Sequence, residues 1–187
     1  STEFAGLGIG HDGTTVGRDG GSVIYSGENG SSRDYRLYKD TNEQFIASGQ
    51  YAVPSNNGAD ATFTTAFPGL TPPAAQGDTT TTSDGSGGFQ WMTLEAIVNV
   101  AAGTATYSLT SDTSGNTVTI GTLDANVGDS FALTGQAAII YADLFSSIAG
   151  DANLAFGVFD NFSVTAVPAP PSLALLGVGS LALLRRR

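Results

Sequence analysis

From residue 1 to residue 165 the chain reads as short apolar alternations broken every few residues by Gly, Asn, Asp and Pro. That rhythm belongs to antiparallel strands with one buried face. It predicts strands at 2–10, 22–26, 34–39, 44–51, 89–100, 105–110, 118–123, 130–133, 137–141 and 154–165. The clearest is 89–100. There Met92, Leu94, Ala96, Val98 and Val100 fall on one face, and Trp91, Thr93, Glu95, Ile97 and Asn99 fall on the other. A turn at 101–103 then leads into Ala105, Tyr107 and Leu109, which predicts a hairpin. In the last segment Leu154, Phe156, Val158, Phe162 and Val164 share a face that Asp160 interrupts. The adjacent Asn161 suggests a bulge or a side-chain bond to backbone there. Long helical periodicity is absent, and 54–59 and 68–88 read as loops. So many short strands imply an all-β fold, a two-sheet antiparallel jelly-roll sandwich.

After residue 165 the composition shifts abruptly. Residues 166–172 form a Pro-rich spacer, which neither continues a helix nor pairs as a strand. Residues 173–184 are Leu, Ala, Gly, Val and one Ser, and Arg185, Arg186 and Arg187 end the chain. Those twelve residues would make a helix of ~18 Å, short of a ~30 Å hydrocarbon core. A buried terminal helix is the ordinary reading. The order of parts favours membrane engagement instead: a proline break, an apolar run with no polar face, and an arginine stop of the kind that stays on the cytoplasmic side. The expected organisation is a sandwich over 1–165, a spacer over 166–172 and a membrane-sorting helix over 173–187.

Val167-Pro168-Ala169-Pro170, the short Leu/Ala/Gly segment and the terminal arginines together resemble the PEP-CTERM sorting tail of Gram-negative-type bacteria. The resemblance implies an exosortase-type processing enzyme as partner. It also implies transient inner-membrane anchoring with the arginines inside, cleavage near the proline motif, and delivery to the cell surface or extracellular matrix. The chain departs from the family at Ala169, where Glu is usual. The body is similar to a group of concanavalin A-like jelly rolls that often carry such tails. The similar segments are 2–13 (TEFAGLGIGHDG), 33–39 (RDYRLYK), 48–51 (SGQY), 67–69 (FPG) and 142–161, with FSSIAGD and FGVFDN. Members begin with further strands before the position matching Ser1, so the resemblance implies that N-terminal strands and an export signal precede it.

Charge narrows the partners. Only 13% of residues are charged, against roughly 25% in ordinary soluble domains. The net charge is −10, and without the terminal arginines 17 acids face four bases. Such a body repels phosphate backbones, so nucleic acid is an improbable partner, and cations or neutral polymers suit it better. The absence of cysteine removes disulfides, thiolate metal sites and a cysteine nucleophile.

No motif specifies a reaction. Trp91 with Glu95 on one strand face is the candidate for stacking and bonding a sugar, with Tyr35 and Tyr107 as aromatics that could lie nearby. The plainer reading, that Trp91 anchors the core, carries more weight. Glycoside hydrolysis needs two carboxylates about 5–10 Å apart. The strand offers only Glu95, whereas the laminarinase-type hydrolases of the concanavalin A-like fold carry a tight acidic cluster on one strand. His11 is the lone histidine, and Gly10-His11-Asp12-Gly13 reads as a surface turn. Calcium needs six to eight oxygens. Asp12, Asp19, Asp34, Asp143, Asp151 and Asp160 are available in loop-like settings, so a structural calcium is a weak alternative to solvated aspartates. The expected function is a non-enzymatic surface or matrix protein with glycan affinity. The alternatives are a purely structural matrix component and a glycoside hydrolase.

Overall fold

A computed structural model describes residues 3–14, 20–27, 34–39, 57–71, 84–143 and 157–166. These residues form seven strands and one short helix: β1 (Glu3–His11), β2 (Gly21–Ser26), β3 (Tyr35–Tyr38), α1 (Ala61–Ala66), β4 (Met92–Asn99), β5 (Thr104–Ser111), β6 (Thr117–Asp124) and β7 (Gln136–Asp143). They make two antiparallel sheets, one ordered β3-β2-β1-β7 and the other a meander β4-β5-β6. The expected strand at 44–51 lies outside the described residues, as do 72–83 and everything from 167 onward, including the spacer and the sorting helix. Among the described residues no helix is long and apolar enough to cross a membrane.

The two sheets meet through their apolar faces in a β-sandwich-like arrangement. Ile9, Val23 and Leu37 from the first sheet join Ala105, Tyr107, Leu109, Val118, Ile120 and Leu123 from the second in one buried cluster. In β4 the alternation works as expected. Met92, Leu94, Ala96 and Val98 pack against this core, while Thr93, Glu95, Ile97 and Asn99 are exposed. The predicted β4–β5 hairpin forms in unbroken register from Met92↔Ser111 to Asn99↔Thr104. Its turn uses Gly103 at φ +72°, the left-handed region that glycine enters without a Cβ penalty. Val100, assigned by alternation to the inner face, lies in this turn and is 59% exposed.

The four-stranded sheet is buried on its second face as well. Phe4, Ile24, Tyr38 and Ile140 form a separate cluster there. The Arg36 guanidinium carbon stands 4.4 Å from the centroid of the Phe4 ring, and Arg36 is 2% exposed. A cation over an aromatic face gains from the ring quadrupole, more so when desolvated. Gly6, opposite both Ile24 and Ile140, leaves room for this layer, since a Cβ there would come within 2.6 Å of Ile24 Cγ2.

Three elements differ from the sequence reading. Helix α1 falls where no element was expected, because Phe63 and Phe67 are drawn onto Tyr35. The Tyr35 and Phe63 rings stack at 3.9 Å, with Phe67 at 6.1 Å from each. The 130–133 strand shrinks to isolated bridge residues, Ser130 and Ala132, the latter paired with Gly20. Within the expected last strand, 157–165 runs exposed with no ladder partner among the described residues. The local bond at its centre is present: the Asn161 N–H donates to Asp160 Oδ1 at 2.7 Å, and Asn161 takes φ +55°.

Candidate ligand-binding face

The outer face of the β4-β5-β6 sheet is built by alternation. Beside the exposed β4 positions it carries Thr104, Thr106, Ser108 and Thr110 from β5, and Thr117, Thr119, Thr122 and Asp124 from β6. These hydroxyls pair across strands. Thr106 and Thr122 lie 2.9 Å apart, Thr110 and Thr117 2.7 Å, and Thr93 donates to Asp112 Oδ1 at 3.2 Å. Hydroxyl pairs of this kind are cross-strand units that fix side-chain direction on a sheet.

A bulge keeps the face intact along β6. Tyr107 faces Gly121 while Ser108 faces Thr119, so Ile120 is one residue more than β5 can pair. Ile120 and Gly121 both point inward, after which Thr122 returns to the outer face and Leu123 to the core. Were the extra residue paired in strict alternation and not bulged, Thr119 and Leu123 would fall on the same side.

Trp91 continues the exposed register of β4 and is 56% exposed. It therefore does not anchor the core, because Met92 and Leu94 occupy the inward positions beside it. Its carbonyl accepts the Asp112 N–H at 3.0 Å, which ties the backbone to the β5–β6 connection. Glu95 sits on the same face, and Ser108 donates to its Oε2 at 3.5 Å. Tyr35 and Tyr107 are not part of this surface. Both are core residues, and burial pushes both phenols well above the usual tyrosine range, with the Asp34 carboxylate adding to the effect at Tyr35.

Just before Trp91, two features escaped the sequence reading. Phe89 has φ +56° and is 40% exposed. For a bulky side chain the left-handed region is strained by about 1–3 kcal/mol. Gln90 holds this conformation through its side chain. Its Nε2 donates to Ser86 O at 2.7 Å and Pro68 O at 3.1 Å, and its Oε1 accepts the Ser111 hydroxyl at 2.7 Å. Beyond β6 the hydroxyl surface continues into a groove of about 410 Å³ lined by Thr62, Thr65, Ala66, Asn116, Thr117, Val118 and Thr119. The threonines at alternate positions in 104–110 and 117–119 were the readable signal for the hydroxyl rows.

The other candidates fare differently. His11 is not a surface turn residue but the last residue of β1, 7% exposed, with its ring lying over Gly8, whose missing side chain leaves the space. Asp12, Asp34 and Asp160 each accept a backbone N–H, from Thr14, Gly58 and Asn161. Among the described residues no group of three or more His, Cys, Asp or Glu is placed to hold a metal ion. Asp19, Asp151 and the Asp143 side chain lie outside the described residues, as do Val167, Pro168, Ala169, Pro170 and the terminal arginines. No protein-family model, curated protein or solved structure matches the chain.

Proposed function

We propose that this chain is an exported, non-catalytic surface or matrix protein that holds glycan on the outer face of the β4-β5-β6 sheet. The observation that carries the reading is Trp91. A large indole ring more than half exposed, beside Glu95 and a field of hydroxyls, is suited to stacking on a sugar ring whose hydroxyls need acceptors and donors. The jelly-roll assignment and the sorting of the chain by its PEP-CTERM-like tail belong to the same proposal. They rest on the resemblances in sequence, and an exosortase-type enzyme, the inner membrane and extracellular polysaccharide are the partners they imply.

A polysaccharide-array screen tests the binding reading directly. Retention of the wild-type chain that is lost in Trp91→Ala, at an unchanged melting temperature, is the expected result. A blank array would leave the structural matrix role, and release of reducing sugar from β-glucans would move the assignment to a glycoside hydrolase. Sorting has a separate readout: the mature protein should lack residues 173–184, and an intact tail in extracellular material would overturn it.

A further inference from the structure

The strained backbone two residues before Trp91 narrows what the face would hold. Phe89 gains little from burial, being 40% exposed, yet its backbone sits at φ +56°. A strained backbone persists only where its surroundings over-determine it, and such positions concentrate at ligand clamps. Here the determinant is the triple anchoring of the Gln90 side chain, with the Trp91 carbonyl tied to Asp112 on the other side. Two exposed aromatics, two residues apart, are thus mounted on backbone that cannot readily relax. Rigid aromatic area of this kind binds without a large ordering penalty.

Charge selects the ligand. No Lys or Arg occurs anywhere between Lys39 and Arg185, so the whole β4-β5-β6 sheet is without a cation. Its outer face carries Glu95 and Asp124, with Asp112 bonded to Thr93 at its edge. An anionic polymer meets only repulsion there, while a neutral hydroxyl polymer meets Thr and Ser groups able to donate and accept.

We infer that Phe89 and Trp91 form a pre-set two-ring platform selective for uncharged polysaccharide, with Glu95 accepting sugar hydroxyls and the acidic face excluding uronate and sulfated chains. This rests on the glycan-binding reading above. The test is affinity electrophoresis of the full chain through gels containing an uncharged β-glucan, an uncharged mannan, alginate or dextran sulfate, at low and high salt. Wild type should be retarded by at least one uncharged polymer, to a similar degree at both salt concentrations, and by neither anionic one.

Phe89→Gly is the decisive variant, because it removes the ring and relieves the strain together. It should weaken retention at least tenfold while the melting temperature stays no lower than wild type. Phe89→Tyr, which keeps a ring, should restore most of the retention. Loss of stability in Phe89→Gly would make Phe89 a structural residue and overturn the inference, as would unchanged retention. Preferential retardation by the anionic polymers at low salt would overturn the charge argument. No retardation of wild type by any polymer would overturn the glycan reading itself, a result distinct from a wild type that binds and a Phe89→Gly that binds equally well.

Discussion

Two buried tyrosines should respond to the same substitution with opposite signs. Tyr107 is fully buried on the inner face of β5, and its hydroxyl has no hydrogen-bond partner among the described residues; a Cβ on Gly21 would stand 2.9 Å from it. A hydroxyl desolvated without a partner costs about 1–3 kcal/mol. Tyr107→Phe deletes that oxygen and keeps the ring, so it should stabilise the fold by about 1–2 kcal/mol. For a chain of 187 residues, 1 kcal/mol moves the melting temperature by roughly 2–4 °C, giving an expected rise of about 2–8 °C. Tyr35 differs in one respect. Its hydroxyl donates to the Gly85 carbonyl at 2.5 Å, so Tyr35→Phe should lower stability by about 1 kcal/mol even though the stack on Phe63 survives. Thermal and urea unfolding of both variants, checked for an unchanged m-value, measures the difference. A fall in melting temperature for Tyr107→Phe would refute the reasoning, because it would mean that the hydroxyl bonds to a buried water.

Four further outcomes are expected. Burial raises the phenols of Tyr25, to about 12, and of Tyr35 and Tyr107. Unfolded tyrosines ionise near 10, so the unfolded state loses protons first. Stability is therefore fully present below pH ~10 and declines as pH rises through ~12, which thermal melts paired with tyrosinate absorbance would record. Asp129→Ala should cost about 2 kcal/mol in urea unfolding, since the buried carboxylate accepts the Asp124 N–H and sits 3.4 Å from Lys39. Gly121→Ala should cost about 1 kcal/mol, because the new Cβ would lie 2.9 Å from Leu37 Cδ2 across the sandwich. Thr122→Val removes one of the exposed hydroxyl pairs and should shift stability by less than about 0.5 kcal/mol in the same assay.

The sequence made the β4–β5 hairpin legible because its alternation is complete and its inner residues are plainly more apolar than its outer ones. That same contrast should have decided Trp91: Met92, Leu94, Ala96 and Val98 claim the core, leaving Trp91 outside. Helix α1 was illegible because ATFTTA has no periodic stripe and three threonines; it forms through the packing of Phe63 and Phe67 on a tyrosine some thirty residues earlier. At 157–165 alternation was present and, among the described residues, a ladder was not. The pattern records which side chains share a face, not whether the backbone finds a neighbour. Phe89 left no trace in the sequence, since a left-handed Phe is fixed by the tertiary bonds of Gln90 and not by any local preference.

The bulge in β6 bears on how this chain can change length. Losing one residue from a strand ordinarily turns every later side chain to the wrong side, which makes such deletions among the least survivable edits in a sheet protein. At Ile120–Gly121 the surplus residue is already there. Deleting Gly121 would leave Thr119 outward, Ile120 inward, Thr122 outward and Leu123 inward, the order of an unbulged strand. The outer hydroxyl face and the core beneath it could thus pass through a one-residue loss together, provided Leu37 shifts to admit Ile120 in the place of Gly121, where a Cβ would stand 2.9 Å from Leu37 Cδ2. In descent, this is a position where the second sheet can shorten without being rebuilt.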